Sequence, residues 1–382
     1  MEAPSSLPLA AHLCRELIRI PSVNPDDNPG TAETGEARCA QWLTEWLAKE
    51  FSGVQVSTPE VLPGRPNVVA KFPSNAPHKP KLLFAPHTDT VSIVGMTVDP
   101  FGGEIRDGRI YGRGASDTKG PMASMLAAIH NVRDLLPQLS HEIWFAGLAG
   151  EEAGQHGAHA LAAAESFDLV IAGEPTGLDF VHTHKGSMFL SLTTRGVAVH
   201  SAKPEAGRNA IYPMADVLRF MRDEIAPWLQ TFTHPLLGHS TISVGTIRGG
   251  SKTNVVPDLC HATVDIRLVP SQGAEFEEAL FAKLRALCPE LEIQVHRSLP
   301  LFTELRHPLL EKLTDQGSRA VGAPWFCDAA VFAQRGSPAI AMGPGSIAQA
   351  HTCDEWIALD DLEKGALFFE RFLRSLLPSA SR

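Results

Sequence analysis

Two histidines and three carboxylates carry the chemistry this sequence offers most directly. His87 ends the run Lys81-Leu-Leu-Phe-Ala-Pro-His87 and is followed two residues later by Asp89. In extended backbone those side chains project to the same side, so the carboxylate can orient the imidazole, the usual support of a metal-ligating histidine. Asp117 stands in Gly112-Arg-Gly-Ala-Ser-Asp-Thr-Lys-Gly120, and Glu151 and Glu152 follow the strand-like run His141–Leu148. Glu174 lies in Ala172-Gly-Glu-Pro-Thr176, and His351 in Gly343-Pro-Gly-Ser-Ile-Ala-Gln-Ala-His351. A GxG turn such as Gly112-Arg-Gly114 can cradle phosphate, but Lys119 is followed by Gly instead of Ser or Thr and no dinucleotide spacing is met. Asp117 could also simply cap the helix expected from Thr118, and adjacent carboxylates are commonly a solvated pair. Counting favours a metal centre. A mononuclear catalytic zinc takes three protein ligands, so His87, Asp117, Glu152, Glu174 and His351 are too many for one ion. Two ions sharing one bridging carboxylate use all five, three each, and leave Glu151 as a base. Imidazole and carboxylate suit zinc and also accept cobalt or manganese.

These residues need elements that bring them to one edge. Apolar spacing predicts helices over Leu7–Ile20, capped by Ser5-Ser6, and over Thr34–Phe51. Strands are expected at Val54–Val56, Asn67–Phe72, Lys81–Phe84, His141–Leu148 and Phe167–Ile171, with helices over Thr118–Leu136 and Gly154–Ala164. Strands alternating with helices imply a largely parallel sheet covered on both faces, with loops at the carboxyl ends of the strands, where open α/β sheets place their sites. From Ser187 the pattern changes to strand Met188–Thr194, helix Asn209–Glu224, strands Ser240–Ile247 and His261–Val269, helix Glu275–Leu287 and strand Leu291–His296. That βαββαβ order marks an inserted ferredoxin-like α+β domain. The α/β texture resumes after Pro300 with a helix over His307–Val321, a strand at Pro338–Met342 and a closing helix over Asp360–Leu377. The expected organisation is a catalytic domain in two parts, residues 1–183 and 298–382, around an inserted domain of residues 184–297.

The 382 residues exceed what a single core usually serves. A net charge of −10 argues against nucleic acid or an anionic membrane as partner. The N-terminal stretch is interrupted by His12, Arg15, Glu16 and Arg19, so no signal peptide or membrane span is expected. Six scattered cysteines without a CxxC pair suit reduced thiols in a cytoplasmic protein.

In order and spacing, these motifs resemble the two-zinc aminoacylase and exopeptidase family that contains acetylornithine deacetylase, succinyl-diaminopimelate desuccinylase and glutamate carboxypeptidase. The resemblance spans nearly the whole chain. It implies that His87 and Glu174 hold one metal, that Glu152 and His351 hold the other, and that Asp117 bridges them. Asp89 would clamp the His87 ring and Glu151 would be the general base. The inserted domain would be the lid and dimerisation surface of a homodimer. Within it, Gly196-Val-Ala-Val-His-Ser-Ala-Lys-Pro204 resembles the segment whose histidine, here His200, reaches across the dimer to the scissile oxygen. Asn254 and Arg267 would grip the substrate carboxylate, a task suited to the Arg fork, with Ser187 and Gly345 as further substrate contacts.

The implied activity is hydrolysis of an amide in an N-acyl amino acid or short peptide. Ile347 stands four residues before His351, where desuccinylases commonly have Asn, and Trp325-Phe-Cys-Asp-Ala-Ala330 lacks the Gly-Thr-Ser-Asp run that serves a succinyl group. Both departures favour an acetyl substrate of the acetylornithine deacetylase type over desuccinylation. Carboxypeptidase or dipeptidase activity is the alternative within the family. A non-catalytic binding or regulatory protein would be expected to have lost ligands or base, and all six positions are filled here.

Overall fold

The computed structural model describes residues 7–26, 32–75 and 78–378. The expected Ser5-Ser6 cap lies outside the described residues. Four strands lie side by side and parallel in the order Glu142–Gly147, Lys81–Ala85, Leu169–Ala172 and Ala339–Ala341. Antiparallel strands flank them: Val68–Lys71 and then Gln55–Ser57 on one side, Phe180–His184 on the other. Parallel neighbours point their carboxyl ends the same way, so the loops that follow these four strands emerge along one edge.

Alternation along the central strands explains the two covered faces. Leu82, Phe84, Ile143, Phe145, Leu169 and Ile171 turn to one side and join a core with helices Leu9–Ile18, Glu36–Glu50, Lys119–Asn131 and Leu359–Arg374. Phe84 meets Phe369 edge-on at 5.6 Å. On the other face Trp144, Phe167 and Phe332 form a chain of edge contacts beside helices His156–Ala164 and Ala329–Gln334. Burial of an aromatic or large aliphatic side chain is worth about 1.5–3 kcal/mol, so these faces fix the strands that carry the site loops. The helix Lys119–Asn131 is buried nearly all round, as a helix apolar on every side must be.

The chain divides into two compact units, Met1–His182 with Thr303–Val321 and Cys327–Arg382, and Thr183–Phe302 with Gly322–Phe326. The second unit takes in Gly322–Phe326 because Gly322 lies against Leu236 and Leu237 and the Lys185 amide donates to Ala323 O. It is an antiparallel four-stranded sheet in the order Thr241–Gly249, Leu259–Leu268, Gly186–Arg195, Glu292–Ser298. Helix Ala274–Leu287 and a helical stretch from Ile211 complete a ferredoxin-like lid. That stretch runs past the expected end at Glu224, through a wide turn over Met221–Ile225 into Ala226–Gln230. Pro227, which lacks an amide to donate, falls inside this continuous stretch directly after the wide turn.

One element differs in type. The helix expected over His307–Val321 ends at Asp315, and Ala320–Ala323 is a strand. Gly317, at φ +94°, takes a left-handed conformation that stops the helix. Strand Phe180–His184 and helix Ala329–Gln334 were not expected at all. Among the described residues, no helix is long and apolar enough to cross a membrane.

Candidate metal centre

His87, Glu151 with Glu152, Glu174 and His351 occupy the loops after the four parallel strands, and Asp117 stands just before helix Lys119–Asn131. Strand adjacency therefore converts residues spread over more than two hundred positions into neighbours. His87, Asp117 and Glu174 offer ligand atoms that all lie within 4.8 Å of one another, and Asp117, Glu152 and His351 do the same. Asp117 belongs to both groups. Its Oδ1 is 3.1 Å from His87 Nε2 and its Oδ2 is 3.3 Å from His351 Nε2. His351 Nε2 is also 3.3 Å from Glu152 Oε2. Asp117 does not cap its helix: Thr118 is the N-cap, without a side-chain hydrogen bond. The Thr118 hydroxyl instead donates to Gly173 O, tying the Asp117 loop to the Glu174 loop.

Asp89 faces the His87 ring with both its main chain and its carboxylate. The nearer partner of His87 Nδ1 is the Asp89 backbone carbonyl at 2.9 Å, with the carboxylate Oδ1 at 3.5 Å. That carboxylate accepts from the backbone amides of Glu151 at 3.0 Å and Glu152 at 3.1 Å, and from Asn24 Nδ2 at 2.7 Å. Asp89 thus steadies the ring through its carbonyl and carboxylate and the Glu151–Glu152 turn through the same carboxylate. On the far side of that turn, Glu36 accepts from the Gly150 amide at 2.9 Å and pairs with buried Arg65.

The electrostatics follow from crowding. Burial pushes the Glu151 carboxyl well up, with Glu174, Asp328 and Glu152 adding to the shift and His87 opposing it. Burial likewise raises Glu174 well up, helped by Asp117, and raises Glu152 to about 7, again with Asp117. Burial would raise Asp117 too, but hydrogen bonds from His351 and His87 outweigh it and hold that carboxyl low. Bonds to Asp117 and Glu152 raise His351 to about 10. Such a concentration of buried carboxylates is costly without cations. Glu152 Oε1 is buried without a hydrogen-bond partner, as a ligand oxygen short of its ion would be. The donor set, imidazole and carboxylate in two groups of three, fits two divalent cations.

Three participants, Asn24, Glu355 and Asp328, escaped the sequence reading. Asn24 and Glu355 bond to Asp89 and to the Asp117 loop. Asp328 is 2% exposed, with Oδ1 accepting from Gln155 Nε2 at 3.3 Å and Oδ2 unpartnered. The only local signal was a polar residue in an otherwise apolar setting. Gly345 is at φ +85°, in the loop that leads to His351.

The lid places its expected residues in two pairs. His200 is bridged to Val255, and Ser201 N donates to Asn254 O at 3.0 Å, which brings His200 and Asn254 together. His200 Nδ1 accepts from Ala202 N at 3.1 Å, which leaves Nε2 as the outward nitrogen. Ser187 is paired with Arg267 in the sheet register. The Ser187 hydroxyl donates to Asp265 Oδ1 at 3.1 Å, and Asp265 Oδ2 accepts from Arg267 Nε at 3.0 Å. Ser187, 1% exposed, therefore reaches Arg267 through a carboxylate. The guanidinium also lies 5.5 Å from the Phe326 ring and 5.7 Å from that of Phe189.

A parallel sheet with paired metal-binding groups at its carboxyl edge and a ferredoxin-like lid defines a class of metal-dependent hydrolases. The chain belongs to peptidase family M20/M25/M40, whose model matches residues 83–375. It is 30% identical over 376 residues to acetylornithine deacetylase of Proteus mirabilis (strain HI4320), covering 94% of each chain. Its fold matches the M20 family metallo-carboxypeptidase Sso-CP2 of Sulfolobus solfataricus, with TM-score 0.78, 23% identity and 97% and 99% of the two chains covered. It also matches the YXEP protein of Bacillus subtilis, described as a dinuclear metal binding peptidase, with TM-score 0.67, 14% identity and 96% and 97% coverage. The protein is a hydrolase of this metal-dependent family.

Proposed function

We propose that the protein is a two-metal deacylase that hydrolyses the amide of an N-acetylated amino acid, with N-acetylornithine as the leading substrate. The observation that carries the reading is the pair of three-residue groups sharing Asp117, with Glu151 buried beside both and belonging to neither. Similarity to acetylornithine deacetylase over 94% of both chains supports the acetyl substrate. His87 and Glu174 hold one cation, Glu152 and His351 the other, and Asp117 both, with zinc the expected metal and cobalt or manganese able to serve. When bound, the cations supply acidification of water and polarisation of the acyl carbonyl. Glu151 takes the proton from water and returns it to the departing amine. The raised affinity of its carboxyl for a proton, set by burial and by Glu174, Asp328 and Glu152, suits that exchange. Asp89 keeps Glu151 in place through the Glu151 amide. Arg267 and Asn254 bind the substrate carboxylate, with Ser187 steadying Arg267 through Asp265, and Gly345 lines the substrate loop. His200, contributed by the lid of the other subunit in a homodimer, stabilises the oxyanion, worth about 3 kcal/mol. A cytoplasmic location accords with small-molecule substrates of this kind.

A panel of N-acetylornithine, N-succinyl-diaminopimelate and simple dipeptides, assayed for acetate, succinate and amino-acid release with zinc or cobalt present, tests the reading. Acetate release from the first is expected to dominate. Preferential hydrolysis of the succinyl compound or of dipeptides would overturn the acetyl assignment, and hydrolysis of none would overturn the enzyme reading.

A further inference from the structure

Glu355 is fully buried, lies four residues beyond His351, and offers no atom to either three-residue group. Its carboxylate is saturated by another loop. Oε2 accepts from Arg113 Nη1 at 2.8 Å and from the Gly114 amide at 3.0 Å. Oε1 accepts from the amides of Ser116 at 2.8 Å and Asp117 at 3.0 Å. Two further bonds join the same segments: Gly112 N to Glu355 O at 3.0 Å, and the Ser116 hydroxyl to Trp356 O at 2.8 Å. Beyond them, strand Trp356–Ala358 pairs antiparallel with Arg109–Tyr111.

The turn before Asp117 is thus wrapped around a protein carboxylate much as a glycine-rich turn wraps an anion, with successive amides converging on it. Loops of this kind have no regular ladder to hold them, so the side chain replaces one. Because Glu355 is chained to His351 by three residues and bonded to Asp117 directly, one carboxylate sets the spacing of two groups that the proposed centre requires on the same ion. We propose that Glu355 is the positioning residue of the Asp117–Glu152–His351 half of the centre, holding the two loops in register so that this half binds its cation tightly. The inference rests on the two-metal reading above. An uncharged amide cannot substitute: in Gln, the NH2 group would face two amide or guanidinium donors with no acceptor between them.

The test is calorimetric titration of the full-length, chelator-stripped protein with zinc. Wild type is expected to take up two ions. Glu355→Gln is expected to weaken one of them by about 10–100-fold, the range seen when a partner that orients metal ligands is lost, and to leave the other within a few-fold. Leu373→Ala, a core change in the closing helix, supplies a comparison of similar thermal destabilisation with both affinities unchanged. Should Glu355→Gln fail to fold, Glu355→Asp, which keeps the charge but is one methylene short, is expected to weaken the same ion. Two ions bound with wild-type affinities by whichever Glu355 variant folds, or an equal weakening in Leu373→Ala, would overturn this inference alone. A wild type that binds fewer than two ions would overturn the two-metal reading and this inference with it.

Discussion

Stripped of metal, the protein is expected to lose stability as pH rises from about 5 to 7.5. Burial and neighbouring Asp117 raise the Glu152 carboxyl from 4.5 to about 7, and burial raises Asp328 from 3.8 to about 7. In the unfolded chain both release their protons near the ordinary carboxyl values. Between the two pKa values the folded protein binds more protons than the unfolded one, and stability then falls with rising pH. For Glu152 the span is about 2.5 units, which at about 1.36 kcal/mol per unit is about 3 kcal/mol, incurred by the time the pH reaches 7. Asp328 does not add a second full increment, because the two carboxyls face the same cluster and protonation of one eases ionisation of the other. His351, raised to about 10 by Asp117 and Glu152, has the same sign: its stabilisation is present at low pH and is lost as pH climbs toward that value. Urea unfolding of chelator-treated protein at pH 5.5, 6.5 and 7.5 and constant ionic strength measures the slope, and Glu152→Gln should flatten it by up to about 1.36 kcal/mol per pH unit. Zinc added at pH 7.5 should restore the loss, since cations replace the protons the cluster otherwise needs. A stripped protein as stable at pH 7.5 as at 5.5, or a Glu152→Gln protein with the wild-type slope, would refute the reasoning.

Glu151→Gln is expected to retain both metal ions while kcat falls by about 10²–10⁴, the usual contribution of a general base; loss of metal by elemental analysis would mean that base and ligand had been exchanged. His351→Ala should reduce the tightly bound metal from two ions to one, read by the same analysis after dialysis. Arg267→Lys should raise KM about 10–100-fold, the worth of about 1.5–3 kcal/mol in a charged hydrogen bond, because ammonium cannot reproduce the fork that bonds Asp265 and substrate together. Phe369→Ala, which removes the ring packed edge-on against Phe84, should cost about 3–5 kcal/mol of stability in thermal unfolding with metal affinity unchanged.

What could be read without coordinates was whatever chemistry and periodicity constrain locally. Unbroken apolar runs made Lys81–Ala85 and Glu142–Gly147 visible as strands buried on both faces, and a buried parallel strand predicts where its following loop goes. Metal ligands come from a short alphabet, so the proposed set of His87, Asp117, Glu152, Glu174 and His351 could be picked from those loops, and the structure gathers them into two groups sharing Asp117. The expected helix stops at Asp315 although apolar residues 320–323 continue a helical spacing, because Gly317 in its left-handed conformation breaks it. Asp89 shows the limit more sharply. Its place two residues from His87 suggests a carboxylate facing the ring, and Oδ1 stands 3.5 Å from Nδ1, but its shorter bonds go to the amides of a turn sixty residues away that no local spacing announces. Which of two chemically adequate groups makes the closer contact depends on what else competes for them, and the competitors here, the Glu151 and Glu152 amides, are brought by the neighbouring strand. Glu355 obeys the same logic: its four partners lie about 240 residues earlier, and three of them are backbone amides that carry no residue-type signal at all. Ligand identity is therefore encoded in residue type, whereas ligand spacing is encoded in hydrogen bonds to backbone that any sequence could present. Substitutions at the two kinds of position should separate accordingly, those at ligands changing how many ions bind and those at Asp89, Asn24 and Glu355 changing how tightly.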